Sequence, residues 1–92
     1  MIVRILTEGQ YQLPEATTDR LNEIDNRIVE IVAQEDNDGF ERLLKNMLDL
    51  VRNNGTPLSI DELVESDLVL PEPDITLEEA KKIFSGEGLL PG

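Results

Sequence analysis

Leu21-Asn22-Glu23-Ile24-Asp25-Asn26-Arg27-Ile28-Val29-Glu30-Ile31-Val32-Ala33-Gln34-Glu35-Asp36-Asn37-Asp38-Gly39-Phe40-Glu41-Arg42-Leu43-Leu44-Lys45-Asn46-Met47-Leu48-Asp49-Leu50-Val51 is the stretch that decides the fold. Leu21, Ile24, Ile28 and Ile31 recur at three- and four-residue intervals, with Val29 and Val32 widening the stripe, which is the spacing of one buried face of an α-helix. So wide a stripe implies more than one packing neighbour. Glu35-Asp36-Asn37-Asp38-Gly39 interrupts it, and Asp36, Asn37 or Asp38 can cap a second helix by accepting from its free N–H groups. That helix carries Phe40, Leu43, Leu44, Met47, Leu48 and Val51 on one face and stops at Asn53-Asn54-Gly55, with Pro57 behind. The first helix begins between Pro14 and Thr18 and ends about Gln34. Two amphipathic helices joined by a short turn pack antiparallel, so a helical hairpin is the strongest inference the chain offers.

Residues 1–13 read as a β-hairpin. A loop of Thr7-Glu8-Gly9 sets Ile5 opposite Tyr11 and Val3 opposite Leu13, placing these apolar groups on one face and Arg4, Gln10 and Gln12 on the other. Gly9 then supplies the left-handed residue. A shorter Glu8-Gly9 loop would mix polar and apolar groups on both faces and is rejected. Because an isolated hairpin is hardly stable in water, its apolar face must cover one side of the helices.

Beyond Gly55 the pattern is weaker. Ser59 and Glu62 have capping-box spacing, residues 67–70 are compatible with an added strand, and Pro71-Glu72-Pro73 enforces an extended segment. Thr76 and Glu79 form a better capping box, opening a short third helix with Leu77, Ala80, Ile83 and Phe84 inward and Gly86 at its end. The fold class is therefore α+β: an N-terminal β-hairpin packed on an antiparallel helical hairpin, with a Pro-rich extended segment and a short C-terminal helix. One domain spans residues 1–92, a length that buries only a modest core.

Composition removes several kinds of chemistry. Only Tyr11, Phe40 and Phe84 are aromatic, so the core must be built from Leu, Ile and Val. With no Cys and no His, the chain lacks a disulfide frame, the usual zinc ligands, Cys or His nucleophile-base pairs and a histidine pH switch. Asp36-Asn37-Asp38-Gly39 invites a calcium reading, but aligning Gly39 with the glycine of an EF-hand loop puts Gln34 at the first ligand position and Lys45 where a bidentate glutamate belongs. A capped turn accounts for it better. No catalytic residue, cofactor or metal ligand is assigned. The N-terminus has no basic region followed by an apolar run, and no stretch approaches the roughly 18 apolar residues of a membrane span, so a soluble cytoplasmic protein is expected.

Net charge is −12, and no basic residue stands between Arg52 and Lys81, where Asp61, Glu62, Glu65, Asp67, Glu72, Asp74, Glu78 and Glu79 accumulate. Such a surface repels polyanions, which excludes direct binding to nucleic acid or to an anionic membrane. The acids themselves read as solvated surface. Leu68, Leu70, Leu89 and Leu90 lie in segments too short and too rich in proline to make a core of their own. The economical reading is that both segments wrap back over the helices. On the other, Leu68, Leu70, Glu72, Asp74, Leu89 and Leu90 form an apolar strip framed by acids that receives a partner.

The opening Met1-Ile2-Val3-Arg4-Ile5-Leu6-Thr7-Glu8-Gly9-Gln10-Tyr11 belongs with a distinctive closing third, Gly55-Thr56-Pro57-Leu58-Ser59 through Asp67-Leu68-Val69-Leu70-Pro71-Glu72-Pro73-Asp74-Ile75-Thr76-Leu77-Glu78-Glu79-Ala80 to Gly86-Glu87-Gly88-Leu89-Leu90-Pro91-Gly92. In order, spacing and overall length these segments closely resemble the PspA-associated (PspAA) family. The resemblance implies a noncatalytic accessory of a PspA-like phage-shock, or membrane-stress, response. The implied partner is a long helical membrane-remodelling protein with basic and amphipathic surfaces, which an acidic domain would meet by charge steering around an apolar centre. Any recruitment to the inner membrane face would run through that partner, and a homo-oligomer is compatible with the same surface. The rival reading is an acidic regulatory module that occupies a basic nucleic-acid-binding surface on another protein.

Overall fold

The helical hairpin forms where its spacing predicts. In the computed structural model, which describes residues 1–59, 61, 62 and 64–84, helix α1 spans Glu15–Ala33 and helix α2 spans Asn37–Asn54. Leu21, Ile28 and Val32 of α1 are buried together with Thr17 and Asp25, while Ile24, Val29 and Ile31 pack half-buried against them. Helix α2 buries Phe40, Leu44, Met47, Leu48, Leu50 and Val51. These faces form one core with the sheet described below, which is why the stripe on α1 is wide.

The turn between the helices is built from the main chain. Glu35 N–H donates to the Val32 carbonyl at 3.0 Å and Asp36 N–H to the Ile31 carbonyl at 3.2 Å, the paired bonds of a Schellman ending, with Glu35 at φ 57° in the left-handed position that glycine favours. Of the three candidate caps, Asp36 serves α2: its Oδ1 accepts from Gly39 N–H at 3.0 Å. A Cβ at Gly39 would lie 2.6 Å from Asp36 Oδ2 and 3.2 Å from Ile31 Cγ2, so the cap needs glycine there. Glu35→Gly should raise the urea midpoint at unchanged m-value, because it relieves the left-handed strain and sacrifices only a solvent-exposed ion pair with Lys81. A fall in the midpoint would mean that the ion pair outweighs the backbone.

Among the described residues four strands pack with the helices: β1 Ile2–Ile5, β2 Gly9–Gln12, β3 Thr56–Pro57 and β4 Leu68–Leu70. Their order is β3-β2-β1-β4, with β1 antiparallel to β2, β2 antiparallel to β3 and β4 parallel to β1. Val3, Ile5, Leu13, Leu68 and Leu70 are buried and Tyr11 is half-buried, while Arg4 and Gln12 stay exposed, so the two faces of the hairpin are as expected. The register is not. Val3 stands opposite Tyr11 and Ile5 opposite Gly9, around a Leu6-Thr7-Glu8 loop, rather than Ile5 opposite Tyr11 and Val3 opposite Leu13. A two-residue slide returns every side chain to the same face, so side-chain type alone could not choose between the two registers. The observed one lets the Met1 amino group donate to the Leu13 carbonyl at 3.1 Å and Leu13 N–H to the Met1 carbonyl at 2.8 Å. Gly9, at φ 112°, does take the left-handed position.

Gly55 caps the end of α2, where the expected stop at Asn53-Asn54-Gly55 lies. At φ −84° it does not end α2 by turning left-handed; a Cβ there would stand 2.7 Å from the Val51 carbonyl oxygen and 2.9 Å from Tyr11 Cβ. Its missing side chain is what allows the helix end to meet β2.

Strand β4 pairs Val3 with Leu68 and Ile5 with Leu70, and Asp67 fixes its start by accepting from Ile2 N–H and donating to the Ile2 carbonyl, both at 2.7 Å. Helix α3, Leu77–Ile83, opens with the expected capping box: Thr76 Oγ1 accepts from Glu79 N–H at 3.2 Å and Glu79 Oε1 accepts from Thr76 N–H at 3.5 Å. Ala80 and Phe84 turn inward, and the Phe84 ring meets Phe40 edge-on at 6.3 Å and 69°. Ile83 is exposed instead of buried, because Ala80 and Phe84 centre the seam and leave position 83 on its flank. The expected stop at Gly86 lies outside the described residues.

Candidate interaction surface

Alternation along β4 decides where its side chains go. Leu68 and Leu70 lie opposite buried residues of β1 and are themselves core, so they finish the interior, as the economical reading has it, and are corrected as exposed contact residues. Val69, between them, faces outward. With Leu6 from the hairpin loop and Ile83 from α3 it lines a groove of about 500 Å³ that Pro71 and Ile75 extend and Leu70 floors. Glu72, Glu79 and Lys82 stand around it. The sequence carries one signal of the groove: residues 6 and 69 occupy the outward positions of segments whose inward positions are apolar.

The proposed strip is otherwise divided. Glu72, half-buried, belongs to this groove. Asp74 is exposed and faces a different hollow, lined by Leu44, Lys45, Leu48 and Arg52 of α2. Leu89 and Leu90 lie outside the described residues. Glu79 is held at the rim by its capping role, its Oε1 also accepting from Thr76 Oγ1 at 3.1 Å.

A charged clamp holds the hairpin loop to α2. Arg52 Nε donates to Glu8 Oε1 at 2.8 Å and Oε2 at 3.1 Å, its Nη2 also meets Glu8 Oε2, and its Nη1 reaches Asp49 Oδ1 at 3.1 Å. The hydrogen bonds from Arg52 hold the Glu8 carboxyl below the usual glutamate value and, reciprocally, raise the guanidinium above its own. A depressed carboxyl adds stability that is full above its unfolded value, about pH 4.3, and is lost as pH falls through the lowered folded value. Water reaches both partners, so the contribution is about 1 kcal/mol or less. Glu8→Gln should therefore narrow the gap between urea midpoints measured at neutral and at acid pH. An unchanged gap would remove the clamp from the acid response. On the opposite end, hydrogen bonding to Lys81 likewise lowers the Glu35 carboxyl and raises the Lys81 ammonium.

Among the described residues no group of three or more acids is gathered to hold a metal ion, and no helix is long and apolar enough to cross a membrane. The molecule is thus an acidic α+β domain in which a four-stranded mixed sheet and a helical hairpin share one core, with an apolar groove at the sheet edge. The family model of the PspA-associated protein matches residues 1–92, and the chain belongs to that family. Membership gives it an accessory role linked to PspA. No curated protein and no solved structure matches the chain.

Proposed function

We propose that this chain is a noncatalytic accessory of a PspA-like membrane-stress response, acting in the cytoplasm by binding a helical PspA-like protein and reaching the membrane through it. Family membership carries the reading. It is supported by a surface suited to recognition: an apolar groove with acids at its rim, on a chain of net charge −12. The same charge would suit a basic nucleic-acid-binding surface on another protein. That rival explains the acids but has no use for the groove, since electrostatic occupancy of such a surface requires charge rather than apolar area.

Binding kinetics with the PspA-like protein from the same source test the reading. Association should be fast at low ionic strength and slow with added salt, and Glu72→Lys should flatten that dependence. Protein-free anionic vesicles should not retain the chain, which lacks a basic patch. Absence of binding to the PspA-like protein at low salt, or retention by vesicles alone, would refute the corresponding part of the proposal.

A further inference from the structure

We infer that the groove between the outer edge of β4 and α3 docks an amphipathic helix whose apolar stripe is flanked by lysine and arginine. The inference rests on the PspA reading above and gives it a surface. Leu6, Val69 and Ile83 are 56%, 46% and 39% exposed and lie on one groove with Pro71 and Ile75, so three of the four large apolar groups left exposed among the described residues share one place, Val64 at 42% lying apart in another hollow.

Charge selects the occupant. Glu72 and Glu79 stand at the rim of a molecule carrying −12, which attracts a basic ligand and repels a second copy of itself. Glu79 is positioned before any ligand arrives, because the capping box fixes its carboxylate. Among the described residues Lys82 supplies the one positive group of the lining, so the partner helix has a preferred direction, with an acidic or neutral side chain facing that end.

Backbone geometry argues for a helix over a strand. The Leu70 carbonyl is turned toward β1, where it accepts from Leu6 N–H at 3.1 Å, so alternation points the N–H and C=O of Val69 outward. Pro71, next along, has no N–H to offer. An extended ligand would thus gain the pairing of about one residue, the kind of short edge that resists strand addition. A helix needs no backbone partner and presents side chains at i, i+3, i+4 and i+7 to an apolar groove.

The test uses the full chain labelled with ¹⁵N and a synthetic helical peptide of about 20 residues with a leucine stripe and lysine flanks. Saturable shifts should cluster at Leu6, Val69, Ile75 and Ile83 and weaken with salt. Val69→Ser with Ile83→Ser should lower affinity at least about tenfold. Both side chains are exposed, so the variant's own spectrum should retain the wild-type fold. No binding, shifts gathered elsewhere, or unchanged affinity in the double variant would overturn the inference. So would tighter peptide binding in Leu89→Ser/Leu90→Ser, which would assign the groove to the chain's own C-terminal residues, or a dimer that the peptide dissolves, which would assign it to a second copy. Displacement of the peptide by the PspA-like protein supports both claims. If the peptide binds here and the PspA-like protein does not bind at all, the groove stands and the PspA reading falls; if that protein binds without displacing the peptide, the groove is not its site and the inference fails.

Discussion

Phe40→Ala should destabilise the protein by about 3–5 kcal/mol, the range for deleting a fully buried aromatic side chain. Phe40 sits in the first turn of α2, immediately after the Asp36 cap and Gly39, and has no exposed surface. Its ring meets Phe84 edge-on, so it joins the start of one helix to the end of α3. In a chain of 92 residues, whose whole stability is of the order of 5–14 kcal/mol, such a loss removes a large share. Urea unfolding gives the value, and a cycle with Phe84→Ala should show about 0.5–1.5 kcal/mol of coupling between the rings. A cost under about 1 kcal/mol, or additive effects, would contradict the packing described.

Ile28→Ala and Leu44→Ala should each cost about 2–5 kcal/mol, while Glu30→Ala should stay within about 0.5 kcal/mol. Ile28 is fully buried on α1 and Leu44 is nearly so on α2, where the helices pack on each other, and the loss includes both transferred methylenes and the cavity they leave. Glu30, two residues from Ile28, is exposed on the far side of the same helix. Chemical denaturation that ranks Glu30→Ala with the other two would mean that the apolar stripe faces solvent.

The candidate surface was legible only in part. Glu72 borders the groove, as its sequence neighbourhood suggests, but Asp74, two residues on, faces elsewhere because the chain turns between them. Leu68 and Leu70 stand out in the sequence as apolar residues of a short segment. Pairing with β1 makes them core and leaves the residue between them for the surface. Leu6 and Ile83 join Val69 through the meeting of a loop, a strand and a helix far apart in the chain, a proximity that local pattern cannot supply.

Local pattern was enough for the helical hairpin, for a cap among Asp36, Asn37 and Asp38, for the capping box at Thr76, for the left-handed role of Gly9 and for which face each hairpin residue takes, because these follow from periods of 3.6 and 2 and from hydrogen bonds made within a few residues; that Asp36 is the cap is a choice the fold makes. Burial of Asp25 was also within reach, since it lies four residues after Leu21 and three before Ile28 on the inward face. Tertiary structure alone decided the hairpin register, the two-residue strand β3 that its proline obscured, the parallel seating of β4 on β1 and the groove beside it. Each of these is a choice among arrangements that bury nearly the same apolar groups. What separates them is main-chain hydrogen bonding and shape complementarity between residues distant in sequence, to which the local hydrophobic pattern is blind.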